Sequence, residues 1–291
     1  MKKFVILIPS YNDWDCLDLL IPAIDKAVRN IKNEISILVV NDGSTLKHNL
    51  SFKKNILKIN EIRILNLKKN VKAQIAISTG LDQLRNEKFL GGVIIMDADG
   101  QDDPEKLPTI IEASNEDDYQ TITVNRTKRE EEILFQIFYK LYLILAFVLT
   151  FKYLKYGVFS YIHSSSIDKI LSTNEVFMAY VAGLAKHFKN KKIIYAERKK
   201  RITGKSQNNY LSLLHYALKI ISAFRYQALL NSTIIFILFM LSINFGVIPK
   251  FSLLFPISLL ILNSILFLMP KKLDKKIISE PLQNVENIEK L

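Results

Sequence analysis

The chain has 291 residues, of which 49% are hydrophobic, and its 40 Lys and Arg against 28 Asp and Glu give a formal net charge of +12. The apolar fraction excludes a fully disordered chain, and a single cysteine, Cys16, excludes an internal disulfide framework and a cysteine-based zinc site. The positive charge favours an anionic membrane surface or a phosphate-bearing substrate, because no nucleic-acid-binding signature is present and we expect no nucleic-acid partner.

Apolar strands alternate with helical segments along the first 125 residues. Strands are predicted at residues 3–9, 35–40, 62–67, 91–96 and 119–125, and helices at residues 15–31, 71–85 and about 104–113. This alternation implies βαβ units and an α/β fold with a mostly parallel sheet, in which ligands bind beyond the carboxyl ends of the strands. Acidic or amide side chains follow three of these strands, at Asn12-Asp13, Asn41-Asp42 and Asp97-Ala98-Asp99.

The segment 132–151 is strongly apolar but contains Gln136 and Lys140. We expect an amphipathic helix in the membrane interface, because basic and aromatic residues suit that layer. A core helix and a full membrane span remain open, although a span would bury Lys140 at a cost of about 2.5–3.5 kcal/mol. Strands near 158–162 and 192–196 and an amphipathic helix over 210–226 are predicted next.

Two charge-free segments, Ala228–Ile248 and Phe251–Met269, are separated only by Pro249 and Lys250. Because about 20 apolar residues are needed to cross a bilayer as a helix, we expect a transmembrane hairpin. A hairpin buried in a larger core is the alternative.

Four lysines between residues 271 and 276 follow the hairpin. By the positive-inside rule they are cytoplasmic, which predicts a multi-pass protein of the inner (cytoplasmic) membrane with its N-terminal domain in the cytoplasm. The predicted organisation is a domain over residues 1–227 that includes the interfacial helix, a hairpin over 228–270 and a basic then polar cytoplasmic tail over 271–291. We expect the tail to be loosely ordered from about Ile277.

Asp97 and Asp99 end a hydrophobic strand, and residues two apart in an extended segment point to the same side. Two carboxylates on one side provide hard oxygen ligands for Mg²⁺ or Mn²⁺, and such a metal keeps positions open for phosphate oxygens. The pattern therefore indicates a metal-assisted reaction of a diphosphate, in which the cation neutralises the leaving group.

Five segments resemble glycosyltransferase family 2. Residues 8–13 (IPSYND) resemble its opening motif, and residues 39–44 (VVNDGS) its second, with Asn41 in place of the first aspartate of D-D-G-S. Residues 97–105 (DADGQDDPE) match the D-A-D-x-Q-D-D-P-E signature of its polyprenyl-phosphate branch, which contains dolichol-phosphate mannose synthases and bactoprenol-phosphate glucosyltransferases. Residues 70–81 and 201–206 (RITGKS) resemble two further motifs.

The resemblance implies a GT-A fold, which is Rossmann-like, and a set of site residues. The residues implied to bind the nucleotide sugar are Pro9, Tyr11, Asp13, Asp42, Lys72, Gln74, Asp97 and Ala98. The residues implied to hold Mg²⁺ or Mn²⁺ are Asp97, Asp99 and Gln101. The residues implied to face the acceptor phosphate are Arg126, Arg129, Arg201, Lys205 and Ser206. The catalytic set is Asp97, Asp99, Arg126 and Arg201.

The function implied is inverting transfer of one sugar from a UDP- or GDP-sugar to polyprenyl (undecaprenyl) phosphate at the cytoplasmic membrane face, in the biogenesis of cell wall or lipopolysaccharide. A family member acting on a growing cell-surface glycan and a non-catalytic membrane scaffold are the alternatives. The sequence leaves the donor and the oligomeric state open, a homo-oligomer included.

Several of these residues also have structural interpretations. Asp13 and Asp42 suit helix caps or turns, and Asp103 suits the cap of a helix that starts at Pro104. Arg126 suits a solvated basic surface, and the basic run 198–201 suits contact with anionic headgroups.

Overall fold

The structure is a computed structural model that describes residues 2–48, 50–52, 56–87, 89, 91–116, 120–127, 133–155, 157–188, 190–204, 210–270 and 275–291. The chain divides into two compact units. The first comprises residues 1–130, 156–207 and 274–291, and the second comprises residues 131–155 and 208–273. The segment 132–151, which we expected to belong with the N-terminal domain, therefore groups with the apolar hairpin.

The described residues of the first unit form an eight-stranded sheet in the order β7-β5-β6-β4-β1-β2-β3-β8. The strands are β1 (Lys3–Ser10), β2 (Glu34–Asn41), β3 (Glu61–Leu67), β4 (Gly91–Ile95), β5 (Thr121–Arg126), β6 (Ser160–His163), β7 (Lys191–Ala196) and β8 (Val285–Lys290). The pairs β1/β2, β1/β4, β2/β3 and β5/β7 are parallel, and β6 and β8 pair antiparallel with their neighbours. This arrangement confirms the predicted α/β fold class.

The helices of the described residues are α1 (Trp14–Ala27), α2 (Ala73–Arg85), α3 (Leu107–Glu116), α4 (Ile133–Thr150), α5 (Ile167–Leu171), α6 (Asn174–Met178), α7 (Tyr180–His187), α8 (Tyr210–Ser222), α9 (Arg225–Asn244), α10 (Leu254–Leu268) and α11 (Lys275–Ser279). Helix α1 ends at Ala27, four residues before the predicted end, and the chain turns at residues 28–30. The predicted helix over 210–226 is two helices, because the chain leaves the helical conformation at residues 223–224.

The central strands are buried on both faces. Residues Phe4–Ile8 of β1 and Ile37–Val40 of β2 have no exposed surface, and Leu17 and Ile21 of α1 are packed in the same core as Ile6 and Ile37. Burying each such side chain contributes about 1.5–3 kcal/mol. Strands covered on both faces have continuous apolar runs, which is why these segments were recognisable in the sequence.

The second unit contains α4, α8, α9 and α10. Two of its segments, Arg225–Asn244 and Lys250–Leu268, are helices long and apolar enough to cross a membrane, and only 17% and 22% of them are buried inside the unit. A core helix of a soluble protein is mostly buried, so these helices keep their apolar side chains on the outside.

The C-terminal segment is ordered, and the expectation of loose order from about Ile277 is wrong. Residues Val285–Lys290 pair antiparallel with β3, and the backbone N–H of Leu291 donates to the Ile62 carbonyl at 3.0 Å. The outer side of β3 would otherwise present unpaired backbone groups, which a further strand satisfies.

Candidate active site

The sheet order places the ends of β4, β1 and β2 side by side. All three run in the same direction, so the segments that follow them meet at one edge of the sheet. These segments carry the acidic and amide residues singled out in the sequence, and the carboxyl edge of a parallel sheet is where such folds bind ligands.

The acidic loop, residues 97–103, follows β4 and is held by its own side chains. An Asp102 carboxylate oxygen accepts from the Asp97 backbone N–H at 2.9 Å, and Asp99 accepts from the Gln101 N–H at 3.0 Å. Asp103 accepts from the Glu105 N–H at 3.0 Å, as expected for the cap of a helical turn that begins with Pro104. Gly100 sits at a φ of +75°, and a Cβ there would lie 2.2 Å from Ile202 Cδ1.

The carboxylates of the acidic loop oppose one another electrostatically. Burial raises the pKa of Asp97, and the carboxylates of Asp102 and Asp99 raise it further, against the lowering effect of Arg126 and Arg198. Burial also raises the pKa of Asp102. Carboxyl groups that raise one another's pKa resist full ionisation, so a cation that approaches the loop would be favoured.

The basic segment, residues 198–204, is docked on the acidic loop. Its backbone N–H groups at Lys199 and Ile202 donate to the carbonyls of Gln101 and Asp99, each at 3.0 Å. Lys199 Nζ lies 2.7 Å from Asp103, and the Arg198 guanidinium donates to the Gln101 side-chain oxygen. The run 198–201, which could also have contacted anionic headgroups, therefore packs against the acidic loop at the sheet edge.

Arg201 joins two of the predicted site carboxylates. Its guanidinium donates to Asp13 and, at 3.2 Å, to Asp99, and the three side chains are 17–22% exposed. Asp13 occupies the position before α1 without forming a side-chain cap, and burial raises its pKa against the opposing effect of Arg201. The resemblance implied that Arg201 faces the acceptor phosphate; in this structure it contacts two carboxylates that were predicted to bind the nucleotide sugar or the metal.

Arg126, at the end of β5, lies 3.8 Å from Asp102 and lines a narrow crevice of about 10 Å³ between the acidic loop and the end of β7. Gln101, Asp102, Phe159 and Arg198 also line it. A cavity of that size has room for about one water molecule. The basic segment must therefore shift before a larger ligand reaches Arg126 from this side.

Asp42 follows β2 and is held differently from the acidic loop. Its carboxylate accepts from the backbone N–H groups of Val71 and Lys72, at 2.6 and 2.9 Å, just before α2. Burial raises its pKa to about 6, against the lowering effect of these two hydrogen bonds. Next to it, Gly43 has a φ of +65°, and a Cβ there would lie 2.5 Å from the Lys69 backbone.

The other predicted nucleotide residues are spread around this edge. Pro9 and Ala98 are buried, Tyr11 is half-buried after β1, and Lys72 precedes α2 with a φ of +75°, a strained conformation for a lysine. The Gln74 side-chain oxygen accepts from the Tyr180 N–H at 2.6 Å, which anchors α7. Three predicted acceptor residues, Arg129, Lys205 and Ser206, lie outside the described residues.

The residues present fit a divalent cation. Asp97, Asp99 and Gln101 offer hard oxygen atoms, and Asp99 already draws a guanidinium. Within the described ranges no three His, Cys, Asp or Glu side chains form a complete metal cage. Mg²⁺ is commonly held by one or two carboxylates together with waters and substrate phosphates.

Sequence reasoning left three contributors without a site role: Asp102, Arg198 and Asn12. No catalytic role was assigned to Asp102, and Arg198 was considered for contact with headgroups. In the structure Asp102 accepts a hydrogen bond within the acidic loop, and Arg198 donates to Gln101 of the same loop. Asn12 has a φ of +57°, and its side chain accepts from the N–H groups of Thr45 and Leu46. The three aspartates within residues 97–102 could have indicated a role for Asp102. No sequence pattern indicated that Arg198 would contact Gln101.

The fold and the acidic strand ends together define an α/β protein with an acidic sheet edge. The pattern of the Glycosyl transferase family 2 matches residues 5–170. The chain belongs to this family, which confirms the resemblance seen in the motifs.

Curated relatives align with slightly less than half of this chain. An uncharacterized glycosyltransferase of Bacillus subtilis is 28% identical over 144 residues, which are 48% of this chain and 43% of that protein. The uncharacterized glycosyltransferase sll0501 of Synechocystis is 33% identical over 44% of this chain and 38% of its own length. An undecaprenyl-phosphate 4-deoxy-4-formamido-L-arabinose transferase of Photorhabdus laumondii is 27% identical over 46% of this chain and 40% of its own length. The alignments thus span about two fifths of these relatives.

Solved structures share the fold. Glucosyl-3-phosphoglycerate synthase of Mycobacterium tuberculosis, crystallised with Mg²⁺ and UDP, has a TM-score of 0.51 at 10% identity over 78% of this chain and 79% of its own. The same enzyme with Mn²⁺, UDP and glucosyl-3-phosphoglycerate has a TM-score of 0.50 at 11% identity, with 78% and 80% covered. This likeness confirms the GT-A-like fold.

Proposed function

We propose that this chain transfers one sugar from a nucleotide-diphosphate sugar to a polyprenyl phosphate at the cytoplasmic face of the inner membrane. The observation that carries the proposal is the meeting of Asp13, Asp42, Asp97 and Asp99 with Arg201 at one sheet edge. This edge of the sheet combines oxygen atoms that can bind a cation with guanidinium groups that can donate hydrogen bonds to phosphate.

The reaction is a single displacement. An oxygen of the lipid phosphate bonds to the anomeric carbon, the bond from that carbon to the diphosphate breaks, and the electron pair leaves with the nucleoside diphosphate. The anomeric configuration is inverted. Because the lipid phosphate is already an anion at neutral pH, the site needs positioning and charge compensation rather than a strong general base.

Each group of residues has a part in this reaction. Asp97 and Asp99, with Gln101 once Arg198 releases it, would hold Mg²⁺ or Mn²⁺. When bound, the cation supplies charge neutralisation of the departing diphosphate. Asp13 and Asp42 bind the nucleoside, and Arg126 and Arg201 form forked hydrogen bonds to phosphate oxygens.

The contacts of Arg201 suggest an order of events. Arg201 compensates Asp13 and Asp99 in this structure. A cation held by Asp99 would take over that compensation and would leave the Arg201 guanidinium available to phosphate oxygens.

The proposed membrane location rests on the second unit. The two helices of spanning length have most of their apolar surface exposed. Helix α4 adds Phe138, Ile144 and Phe147, whose side chains are 55%, 62% and 50% exposed. Exposed apolar surface of this extent marks a membrane or protein contact. Residues before the hairpin and Val285–Lys290 after it belong to one sheet, which supports a topology with both ends of the hairpin on one side of the bilayer.

The test is a donor screen on membranes that contain the protein, with labelled UDP- and GDP-sugars, undecaprenyl phosphate and Mg²⁺. A chloroform-soluble labelled product is expected with one donor. No lipid product with any common donor contradicts the proposal. A product on a glycan that lipid phosphate does not compete with identifies the polymer-directed alternative, and calorimetry with UDP or GDP plus Mg²⁺ that detects no binding identifies the scaffold.

A further inference from the structure

The C-terminal strand reaches the segment that follows β2. In the pairing of β8 with β3, Asn287 lies opposite Asn66 and Glu289 lies opposite Ile64. Residues two apart on a strand share a face, so Asn287 and Glu289 project on the side of Asn66. Asn66 in turn lies opposite Asn41 in the pairing of β3 with β2.

Three side-chain amides form a ladder across these strands. The Asn66 amide nitrogen donates to Asn287 Oδ1 and to Glu289 Oε1, both at 2.7 Å. The Asn66 oxygen accepts from the Asn41 amide nitrogen at 2.7 Å. Asn66 is only 8% exposed, so its polar groups depend on these partners.

The ladder continues into the β2 loop, which we define as residues 41–48. The Asn41 oxygen accepts from the Ser44 N–H at 3.0 Å, and Ser44 Oγ accepts from the Asn12 N–H at 2.9 Å. Asn12 accepts in return from the N–H groups of Thr45 and Leu46. The ladder thus ties the β2 loop to the segment after β1, and these two segments carry Asp42, Tyr11 and Asp13.

A second branch of this network starts at Glu289 Oε2, which lies 3.3 Å from His48 Nε2. The His48 ring packs on the Trp14 ring, with the ring centroids 5.0 Å apart. Trp14 Nε1 donates to the Leu46 carbonyl at 2.9 Å. The β2 loop is therefore held from the C-terminal strand at both of its ends.

We propose that Asn287 and Glu289 are positioning residues of the donor site, and that the strand after the apolar hairpin completes that site through Asn66 and the β2 loop. This inference rests on the proposed function, since it takes Asp13 and Asp42 to bind the nucleoside. It also explains why residue 41 is an asparagine: its amide nitrogen donates to Asn66, whereas an ionised aspartate has no hydrogen to donate.

The expected consequence is specific to the donor. Without Asn287 and Glu289, the β2 loop samples more conformations, and nucleotide binding must order it again. Loss of a positioning hydrogen-bond network of this kind weakens nucleotide affinity about fivefold to tenfold. None of the residues expected to face the lipid phosphate belongs to either segment, so the KM for the lipid should be unchanged.

The test uses the full-length protein in nanodiscs. The double variant Asn287→Ala/Glu289→Ala removes both acceptors, and Asn287→Asp/Glu289→Gln keeps an acceptor oxygen at each position. Glu286→Ala is the matched control, because it removes one carboxylate from an exposed position of the same strand. UDP and GDP affinity with Mg²⁺ is measured by calorimetry, and KM for donor and lipid and kcat are measured with the donor from the screen.

The inference predicts that the double alanine variant raises the nucleotide Kd and donor KM about fivefold to tenfold while kcat and the lipid KM stay within about twofold. Asn287→Asp/Glu289→Gln restores affinity, and Glu286→Ala resembles the wild type. Equal nucleotide affinity in the double variant and Glu286→Ala overturns the inference. A parallel loss of donor KM, lipid KM and kcat with a lower melting temperature also overturns it, since that is a purely structural effect. If the wild type binds no nucleotide, the proposed function itself fails and the inference falls with it.

Discussion

The acidic loop after β4 and the β2 loop lie at the same sheet edge, and both carry buried aspartates. The negative charge of their carboxylates is compensated by different groups. Asp42 of the β2 loop is satisfied by two backbone N–H groups ahead of α2. Asp99 of the acidic loop is compensated by the guanidinium of a segment about 100 residues later in the chain. A carboxylate held by fixed amides stays in place, whereas one held by a side chain can exchange that side chain for another cation.

The largest effect is expected from Asp99→Ala, which removes the exchangeable carboxylate. Transfer should fall by at least about 100- to 1000-fold, as for loss of a group that compensates transition-state charge. The fold should survive, because Asp99 is partly exposed and lies in a loop. Activity on undecaprenyl phosphate and the melting temperature are the measurements.

Asp103→Ala is the matched control for Asp99→Ala. Its carboxylate caps the turn at Pro104, so the variant loses about 1 kcal/mol of stability but keeps transfer within a few-fold. Full activity in Asp99→Ala, or equal losses in the two variants, would remove the role assigned to the metal.

Arg201→Ala sharpens the comparison because two properties should move in opposite directions. Transfer should fall about 100-fold, because the variant loses a guanidinium that donates hydrogen bonds to phosphate. Mn²⁺ binding without nucleotide should become tighter, because Asp99 no longer has a competing cation. Calorimetry with Mn²⁺ alone measures the second property.

Lys199→Ala is the control for Arg201→Ala. Lys199 belongs to the same basic segment, but its side chain is 49% exposed and contacts only Asp103 among the described ion pairs. An exposed pair contributes about 0–1 kcal/mol, so both properties should change little. Weaker Mn²⁺ binding in Arg201→Ala would contradict the exchange of one cation for another.

Cys16 reports on the docking of the basic segment. It is the single cysteine of the chain, it is 1% exposed, and its sulfur lies 3.1 Å from Thr203 Oγ1. Arg201→Ala removes two ionic contacts of the segment, so we expect Cys16 to react with a maleimide about tenfold faster, which corresponds to about 1.4 kcal/mol of easier opening. Cys16→Ser gives the blank, and an unchanged rate would mean that Arg201 does not hold the segment down.

The last effect concerns stability rather than transfer, and it involves pH and the β2 loop. Burial raises the pKa of Asp42 from 3.8 to about 6, so the folded chain binds this proton more tightly than the unfolded chain. Its contribution to stability is therefore complete below about pH 4 and is lost as the pH rises to about 6, on the order of 3 kcal/mol in total. The difference in unfolding free energy between wild type and Asp42→Asn should decline over that interval and be level above it; a level difference throughout contradicts the raised pKa.

Local patterns were sufficient for strands β1 to β7 and for the cap at Asp103. Continuous apolar runs marked β1, β2 and β4 because helices cover both faces of these strands. The Asp-Pro-Glu sequence marked the turn at Pro104 because capping depends on neighbours in the chain. The end of α1 at Ala27 was misjudged, because Val28 and Arg29 continue a helix-compatible composition without a stop signal.

Long-range partners were not recognisable. The tail after Ile277 looked like a loose polar end, but the unpaired edge of β3 makes it a strand. Arg201 was expected from a motif to face the acceptor phosphate, and no pattern in the sequence indicated its contacts with Asp13 and Asp99. Asn41 stood out as a departure from the family pattern, and only the contact with Asn66 explains the amide.

By itself the sequence determined the fold class, the family and the residue types at the sheet edge, because periodicity, capping and strand-end chemistry are written in neighbouring residues. The tertiary structure alone decided which cation faces which carboxylate and how the last strand supports the first two loops. These contacts join residues 25 to more than 200 positions apart, and no local pattern records the partner that a folded chain supplies.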